Sequence, residues 1–380
     1  MTSGQESSDR TGSAAPFADI ESLAGVFHPH AIEVQDFSHY ALVIDLRSRA
    51  EYEDDHIPGA VRVDLPSEAA EPLGTGTDHE VSAATNSARG ARAVQGLPEA
   101  LTAAIANIKL DQAILIYCGQ GGRVSQPVAQ ALRWRGWTVD VLPGGWINYR
   151  RWVQAGLEVL PRLVAFRVIA CSLGTEALRV LRALREVGQQ VVDVEGLAGW
   201  RHGALKPNQG AQPSQAWFES QLLESIRAFD PRTPVWVGDV DTGVGSVELP
   251  GALTDALAIA PAAKLEVGVD ERVQCWREDE PMLMAESSEV VEAVAMKSPQ
   301  PGGAVPDHWQ HLATEGATDL LLARLLSDGI DQTYAAEVAD RAARRHALPA
   351  LTADSLAPGA LIGTVRAWLQ GTVSDRKSVV

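Results

Sequence analysis

Cys118 is the residue of this 380-residue chain whose type and surroundings point most directly to chemistry. The stretch "AILIYCGQGGRVSQPVAQALRWRGW", which begins at Ala113, places this thiol between an apolar run and a helical pattern. Three of the next four residues are glycines, whose amides can point inward and form an anion-binding nest at a helix N-terminus. Such a nest, together with the positive charge of Arg123, favours the thiolate and predicts a nucleophile. The predicted catalytic residue is Cys118, and the predicted chalcogen-binding or anion-binding loop comprises Gly119, Gln120, Gly121, Gly122, Arg123 and Ser125.

The alternative is a small buried cysteine at the end of a core strand, the usual situation for an arbitrary cysteine. The loop favours the nucleophile, because a merely buried thiol would not need the glycines. Cys171 and Cys275 lie far along the chain and no CxxC pair occurs, so neither a disulfide framework nor a metal site is predicted. This use of cysteine fits a reducing cytosol and predicts a cytoplasmic protein.

The composition is acidic, with 49 Asp and Glu against 32 Lys and Arg and a formal net charge of −17. Non-specific nucleic-acid affinity comes mainly from Lys and Arg that neutralise phosphates, so this charge argues against a general polyanion-binding surface. Any RNA contact is expected to be local, and no DNA binding is expected. The stretch "MTSGQESSDRTGSAAPFAD" has no apolar signal-peptide core, and no run of 18 or more apolar residues occurs, so neither export nor membrane insertion is expected.

Short apolar runs separated by helical patterns predict an α/β fold with buried parallel strands. The strand-like runs lie at 41–47, 113–118, 139–145, 163–171, 189–196, 233–240 and 263–270. The predicted units are a disordered leader at 1–20, a first α/β domain at 21–160, a second at 161–296, a helical C-terminal region at 305–370 and a tail at 371–380.

Two motifs in the first half resemble the rhodanese domain. The stretch "DLRSRAEYEDDHIPGA" (45–60) precedes "YCGQGGRVS" (117–125), in the order expected of a rhodanese. The resemblance implies that Cys118 takes up sulfur as a persulfide and that the loop amides hold the transferred atom. It also implies that Asp45 and Arg47 brace the fold. His56 lies in the His-Ile-Pro-Gly-Ala turn, where a supporting role is favoured over that of a general base.

The second half resembles the second domain of the tRNA 2-selenouridine synthase family, in which a P-loop-NTPase-like domain follows the rhodanese domain. The resemblance rests on "GQQVVDVEGLAGWRHGALKPNQGAQPSQAWFESQL" (188–222) and "VWVGDVDTGVGSVELP" (235–250). It implies a transferase that replaces the sulfur of wobble 2-thiouridine in tRNA by selenium. The implied substrates are selenophosphate and, for a geranylated intermediate, geranyl diphosphate, with no tightly bound cofactor.

The P-loop of that family, GxTGxGKT, falls on "CSLGTEAL" (171–178), where it has lost its functional residues. Glu176, Ala177 and Leu178 replace the second glycine, the lysine and the hydroxyl residue, and the chain has no lysine between Lys109 and Lys206. A P-loop holds phosphates through glycine amides and a lysine charge, with the hydroxyl on Mg²⁺. After the "VWV" run only Gly238 and Asp239 stand where an acidic pair is expected. A degenerate P-loop without ATPase activity is therefore predicted.

The cysteine loop also departs from the family form, which is close to CWRGGxRS. Gly119 and Gln120 replace its aromatic residue and arginine, and Val124 replaces the arginine before Ser125. The Cys-x-x-Gly-x-Arg loop is nearer to that of an ordinary sulfurtransferase. Two alternatives therefore remain open: a rhodanese-type sulfurtransferase or persulfide carrier, and a non-catalytic scaffold with a dead P-loop domain.

Several polar and aromatic residues have both a binding and a structural interpretation. The predicted diphosphate or tRNA contacts are Arg201, His202, Lys206, Gln212 and Gln215. Ser214 or Gln215 is an alternative helix cap. The basic clusters "YRRW" (149–152) and "RAARR" (341–345) are candidate RNA contacts, with solvated helix faces favoured. Two roles are considered for four tryptophans, stacking on RNA bases or packing in the core, and core packing is favoured for each of them: Trp200, Trp217, Trp236 and Trp276.

Overall fold

A computed structural model of the chain describes residues 37–65, 98–119, 122–171, 175–200, 211–279, 287–297 and 305–377. It contains two parallel β-sheets flanked by helices, followed by a mainly helical region, which confirms the predicted α/β fold class. Three sets of predictions lie outside the described residues: the leader at 1–20, the loop residues Gln120 and Gly121, and the basic residues Arg201, His202 and Lys206.

The first sheet has four parallel strands in the order β2-β1-β3-β4. Its strands are β1 (Leu42–Asp45), β2 (Val61–Arg62), β3 (Ala113–Tyr117) and β4 (Thr138–Val141), and its helices are α1 (Arg49–Asp54), α2 (Glu99–Ile105), α3 (Ser125–Arg133) and α4 (Gly145–Leu163). The two central strands read "LVID" and "AILIY". They are almost wholly apolar because side chains on both faces of the sheet are covered.

The alternating side chains of β3 enter two different cores. Ile114 and Ile116 pack with α2 and α3, whereas Leu115 and Tyr117 pack on the opposite face with α4. Cys118, which follows the strand, belongs to the first of these cores. The pleat therefore presents the thiol to the side on which α3 begins.

The second sheet has five parallel strands in the order β11-β10-β5-β7-β6. Its strands are β5 (Phe166–Ala170), β6 (Gln190–Val191), β7 (Val235–Gly238), β10 (Ala262–Val267) and β11 (Leu351–Ala353), beside a hairpin of β8 (Gly243–Val244) and β9 (Val247–Glu248). The helices in this part are α5 (Thr175–Glu186), α6 (Val194–Leu197), α7 (Gln215–Arg227), α8 (Gly251–Ile259) and α9 (Val269–Asp279). The edge strand β11 lies within the C-terminal region and was not predicted from the sequence.

The C-terminal region contributes both a small helical core and a cover for the second sheet. Its helices are α10 (Ser287–Lys297), α11 (Asp307–Thr314), α12 (Thr318–Arg324), α13 (Asp331–Arg344) and α14 (Pro358–Lys377), with a π-helical turn at 325–330. Trp309 is fully buried and packs with Trp276 of α9 in the helical core. Helix α14 packs against α5 and runs into the segment that the sequence assigns to a tail, 371–380.

Helices α4 and α7 join the two domains through one continuous apolar core. A Cβ added to Gly156 on α4 would lie 2.7 Å from Cδ1 of Leu223 on α7, so the absence of a side chain allows the two helices to approach closely. At the start of α7, Ser214 accepts a hydrogen bond from the amide of Trp217 and donates one to the carbonyl of Asp54. The serine thus caps its own helix and fastens it to the first domain.

A buried polar cluster lies within the same joint. Asp55 is fully buried, and its Oδ2 lies 3.1 Å from Nη1 of Arg150 and 3.2 Å from the hydroxyl of Ser220 on α7. Arg150 also forms an ion pair with Glu219 and donates to the carbonyl of Ala216. Burial raises the pKa of Asp55 to about 6, although Arg150 and Ser220 oppose the rise.

We expect Asp55→Asn to flatten the pH dependence of stability. The folded pKa of Asp55 is about 6 against an ordinary value of 3.8, so between these values the folded protein keeps a proton that the unfolded chain releases. The free energy of unfolding contributed by this group is therefore present below pH 3.8 and lost as the pH rises through 6, by up to about 3 kcal/mol. Urea unfolding of the native protein and the variant between pH 4 and 7 measures the difference.

The control is Asp54→Asn, which removes an exposed carboxylate next to the cluster and should keep the native pH profile. A profile that is unchanged in Asp55→Asn would show that the buried carboxyl does not titrate in this range.

Candidate active site

The Cys118 thiol lies where β3 ends and α3 begins. Its residue is 3% exposed, and Sγ is 3.4 Å from the hydroxyl oxygen of Ser125. The amides of Gly122, Val124 and Ser125 also hydrogen-bond to the sulfur. Gly122 has φ +91°, and a Cβ there would lie 2.9 Å from Cγ of Gln126. A glycine is therefore required for this loop to turn its amides towards the thiol.

These donors make the thiol acidic. Burial raises the pKa of Cys118, but the Ser125 hydroxyl and the amides of Val124, Ser125 and Gly122 together outweigh it, so the pKa lies below its ordinary value of 9.0. The positive charge of Arg123, which the sequence suggested as a contributor, sits on an exposed side chain. The main stabilisation of a thiolate here therefore comes from the dipoles of the loop amides and the Ser125 hydroxyl. Gly119 is the loop residue that directly follows the thiol, and a Cβ at this position would lie 3.7 Å from Oε1 of Glu51, an ordinary contact distance.

Asp45 and Arg47 lie at the carboxyl end of β1, beside the thiol loop. Asp45 accepts hydrogen bonds from the Arg47 guanidinium, with the shortest at 2.7 Å, and from the hydroxyl of Tyr117, also at 2.7 Å. The guanidinium carbon of Arg47 lies 3.7 Å from the centroid of the Trp146 ring. The backbone amide of Trp146 donates a hydrogen bond to the carbonyl of Cys118. This buried network joins the end of β1 to the strand end that carries the thiol, and the bracing role of Asp45 and Arg47 stays a prediction.

His56 is held in the joint between the domains. Its ring stacks on Tyr52, with centroids 3.9 Å apart, and on Trp217 of α7, with centroids 4.0 Å apart. Nδ1 donates to the carbonyl of Tyr52 at 2.8 Å, and burial lowers the pKa of the ring. A neutral imidazole covered on both faces serves the domain contact. Of the four tryptophans considered for base stacking, Trp236 and Trp276 are buried, Trp200 packs against the core and Trp217 stacks on His56.

Gln212 and Gln215, predicted as possible diphosphate or tRNA contacts, use their amides on the backbone. Gln212 donates to the carbonyls of Ala198 and Val244 at 2.9 and 3.0 Å and accepts from the amide of Ser246. Gln215 donates to the Glu248 carbonyl at 2.9 Å and accepts from its amide at 2.8 Å. Both side chains brace the β8–β9 hairpin, and the cap of α7 is Ser214.

The position at which the sequence predicts a degenerate P-loop carries a buried ion-pair network. Glu176, in the first turn of α5, accepts from Nε of Arg272 at 2.8 Å and from the indole N–H of Trp276 at 3.2 Å. Arg272 also binds both carboxylate oxygens of Asp331. Burial raises the pKa of Glu176, against the effect of Arg272. A carboxylate of the chain itself thus sits at the helix end that would face a phosphate in a P-loop.

A second buried carboxylate, directly after β7, is also paired with arginines of the chain. The side chain of Asp239 is buried, accepts from Nη1 of Arg345 at 2.8 Å and from the hydroxyl of Tyr334 at 2.6 Å, and lies near Arg341. Arg341 pairs with Asp241 at 2.7 Å. Two arginines of the "RAARR" cluster are therefore committed to carboxylates. The space between Cys171, the start of α5 and Asp239 is about 20 Å³, which is roughly one water-sized site.

The parallel sheet, the Asp45–Arg47 pair and the nested thiol define a rhodanese-type domain. Residues 31–151 match the rhodanese-like domain model, and residues 164–295 match the model of the tRNA 2-selenouridine synthase AAA domain. The chain is thus similar to the tRNA 2-selenouridine synthase family over both of its α/β domains. No solved structure matches it.

Individual relatives agree with the family. A tRNA 2-selenouridine synthase of Alcanivorax borkumensis is 30% identical over 167 residues, which are 43% of this chain and 45% of that protein. One of Cronobacter sakazakii is 29% identical over 248 residues, or 62% of this chain and 64% of that protein. The chain thus spans about half to two thirds of the length of these curated relatives. Within the described residues, no helix is long and apolar enough to cross a membrane, and no group of metal-binding side chains is found.

Several residues that hold the site together could not be identified from the sequence. Asp55 lies next to His56, but its burial could not be inferred because the aspartate is surrounded by other acidic residues in "YEDDH". Arg150 was noted only as part of a basic cluster. Arg272 and Asp331 are far apart from Glu176 along the chain, so no local signal connects them. The one available signal was Glu176 itself, since a carboxylate in place of a P-loop glycine requires a cation nearby.

We expect Cys118 to be the cysteine that iodoacetamide alkylates fastest near neutral pH. Its pKa is lowered by the loop, whereas burial, followed by the Glu176 carboxylate, raises that of Cys171. Ser125→Ala removes one hydrogen bond to the thiolate and should slow alkylation at pH 7 by roughly tenfold. Mass spectrometry of the alkylated peptides measures each rate. Ser225→Ala, a change in α7, is the control and should leave the alkylation rate of Cys118 unchanged. Faster alkylation of Cys171 than of Cys118 would show that the reactive thiol is not Cys118.

We also expect no measurable hydrolysis of ATP or GTP and no binding at micromolar nucleotide. Loss of the P-loop lysine and hydroxyl removes contacts worth about 1.5–3 kcal/mol each, which weakens binding by about two to four decades. Glu176 adds repulsion at the same place. Calorimetry with Mg²⁺ nucleotide tests this, and a micromolar dissociation constant would refute the alignment of "CSLGTEAL" with a dead P-loop.

Proposed function

We propose that this chain is a tRNA 2-selenouridine synthase-like transferase that replaces the sulfur of wobble 2-thiouridine by selenium through Cys118. The observation that carries the proposal is the Cys118 thiol in its nest of loop amides, within a chain similar to this family. A thiolate next to several N–H donors can both attack a chalcogen donor and hold the negative charge of the atom it receives.

For a persulfide donor, the chemistry at Cys118 balances without a further reactant. The thiolate attacks the outer sulfur of the donor, the S–S bond of the donor breaks, and the donor leaves as a thiolate. A new S–S bond forms on Cys118, the charge of the attacking thiolate leaves with the donor, and the transferred sulfur, when it is ionised, keeps on Cys118 the negative charge that it carried on the donor. The amides of Gly122, Val124 and Ser125 lie around the thiol and are the groups that would stabilise this anion.

The resemblance to the family supports a proposal for the substrates of the reaction on tRNA. Selenophosphate is the proposed selenium donor and geranyl diphosphate the proposed source of a geranylated intermediate, and neither requires a resident cofactor. Any tRNA contact is proposed to be local, because the net charge of −17 repels a polyanion at long range. The candidate contacts outside the described residues, Arg201, His202 and Lys206, keep this role in the proposal.

The second domain is proposed to bind tRNA or a partner without hydrolysing nucleotide. Its phosphate position is filled by the Glu176 carboxylate and its Asp239 is paired with Arg345. The first feature places a negative charge where a phosphate would bind, and the second pairs an aspartate that could otherwise help to hold a metal ion. Both therefore oppose metal-assisted phosphate chemistry.

A rhodanese-type sulfurtransferase that passes persulfide to a protein or a small thiol is the second candidate. It is favoured by one observation, the Gly119 that takes the place of the aromatic residue in the cysteine loop of the family. Thiosulfate-dependent formation of thiocyanate without any dependence on tRNA would support it. A Cys118 that transfers no chalcogen in either assay would instead support a scaffold.

The deciding experiment measures wobble uridines by mass spectrometry in cells with and without this protein. We expect 2-selenouridine in cells that express the native chain and are supplied with selenium, and none in cells that express Cys118→Ser. Cys275→Ser is the matched control, because that buried thiol lies on α9 and should be dispensable. Unchanged wobble uridines in cells with the native protein would overturn the proposal, and selenium incorporation by Cys118→Ser would overturn the role of this thiol.

A further inference from the structure

Trp134, at the end of α3, differs from every other tryptophan of the chain in its exposure. All ten tryptophans lie within the described residues, and Trp134, which is 55% exposed, is the only exposed one. The four tryptophans considered above for base stacking are all packed against other parts of the chain. Because an indole gains more than most side chains from leaving water, an exposed one among charged neighbours indicates a binding surface.

The turn that ends α3 fixes the outward position of Trp134. The amide of Gly136 donates to the carbonyl of Arg133 at 3.0 Å and the amide of Trp137 donates to the carbonyl of Leu132 at 3.3 Å, which is the hydrogen-bond pair of a Schellman motif. Gly136 has φ +97°, a conformation that a residue with a side chain rarely adopts. The motif carries Trp137 back onto the core beside Leu132 and leaves Trp134 in solvent.

Apolar and cationic side chains are grouped around the exposed indole. Leu110, which is 54% exposed, belongs to the turn before β3, and its Cδ2 lies 3.8 Å from the position that a Cβ of Gly136 would take. The turn before β3 and the turn after α3 therefore adjoin. The exposed residues of these two turns form a group that we call the Trp134 surface: Lys109, Leu110, Arg133, Trp134 and Arg135.

The Trp134 surface is positively charged, although the chain as a whole has a net charge of −17. The charged residues of the two turns, 106–112 and 133–138, are one carboxylate and three cations: Asp111 against Lys109, Arg133 and Arg135. An aromatic ring with cations on both sides fits RNA, because an unpaired base stacks on the ring while the cations bind phosphates. Two exposed apolar side chains are too few for a stable protein interface, which takes roughly 20–30 residues a side.

The Trp134 surface and the thiol lie at opposite ends of the same helix. Helix α3 begins at Ser125, whose hydroxyl is 3.4 Å from Sγ of Cys118, and ends at Arg133. Its nine residues correspond to about 14 Å, which is the length of about four bases stacked along one strand. An RNA loop that presents one nucleotide to the thiol is therefore long enough to reach Trp134 with another.

We propose that the Trp134 surface binds an unpaired loop of RNA, with one base stacked on the indole and phosphates bound by Lys109, Arg133 and Arg135. This role of the surface rests on the proposed function, since tRNA is the RNA that the reaction would modify. It places an RNA contact in the first domain, in addition to the candidate contacts of the second.

Fluorescence anisotropy of a labelled RNA hairpin, the anticodon stem and loop of a tRNA, titrated with the full chain tests the stacking contact. Trp134→Ala should weaken hairpin binding about tenfold through the loss of one base–aromatic stack, and Trp134→Phe should restore most of the affinity. A blunt RNA duplex without unpaired bases should bind equally to the native chain and both variants. Leu320→Ala truncates a similarly exposed side chain on α12 and is the control that should leave hairpin binding unchanged.

A double substitution of Lys109→Gln and Arg135→Gln tests the phosphate contacts. It should lower the slope of log affinity against log salt by about 1.4 to 1.8, because each phosphate contact contributes about 0.7 to 0.9. The control with the same change of charge is Arg232→Gln with Lys264→Gln, which removes two exposed cations of the second domain and should leave the slope unchanged. Equal effects of the two double variants would show only general attraction by charge and would refute the assigned contacts.

Two results separate a failure of this contact from a failure of the proposed function. Native-like hairpin binding by Trp134→Ala would overturn the RNA role of the Trp134 surface and leave a protein as its partner, while the reaction at Cys118 stays as proposed. No hairpin binding by the native chain at low salt would overturn both. Circular dichroism and thermal unfolding of Trp134→Ala should match those of the native chain, because the ring is exposed, so weaker binding would not reflect a loss of folding.

Discussion

Carboxylates buried at the carboxyl ends of the parallel strands must be neutralised, and much of the surrounding structure follows from this requirement. Asp45, the last residue of β1, is fully buried and is paired with the Arg47 guanidinium and the Tyr117 hydroxyl. Asp239 after β7 is matched in the same way by Arg345 and the hydroxyl of Tyr334. A buried carboxylate that loses its partner typically destabilises a protein by about 3–5 kcal/mol. Each pair therefore fixes the elements that carry it, and in the first domain those elements hold the Cys118 loop.

The two motifs that identify the two domains meet at the joint between them. The turn that contains Asp55 and His56 belongs to the rhodanese motif, and Trp217 and Ser220 belong to the "QPSQAWFES" stretch of the second domain. Stacking of Trp217 on His56 and the bond from Ser220 to Asp55 make each motif part of the environment of the other. Residues that look like candidates for catalysis or binding in isolation are thus needed to orient the domains.

The sequence predicted the elements that depend on local pattern and missed those that depend on distant pairing. The strands β1, β3 and β7 were evident because apolar runs end at polar or glycine residues, and the thiol loop because its glycines follow such a run. The edge strand β11 was missed, since "LTA" is too short for any periodicity to show. Gln212 and Gln215 could be placed near a helix start, but only the structure shows the hairpin carbonyls and amides that occupy them. The ion pairs between Glu176 and Arg272 join positions 96 residues apart.

The beginnings of α3 and α5 show how one electrostatic arrangement can serve two purposes. Both helices follow a parallel strand, and the partial positive charge of a helix N-terminus stabilises an anion placed there. At α3 the anion is the Cys118 thiolate, which amides and Ser125 stabilise in a form that can still react. At α5 it is the Glu176 carboxylate, held by Arg272 and Trp276, which occupies the helix end permanently. Because a fixed carboxylate repels a phosphate, the helix end at α5 is closed to an external anion, whereas the helix end at α3 holds a thiol that can still react.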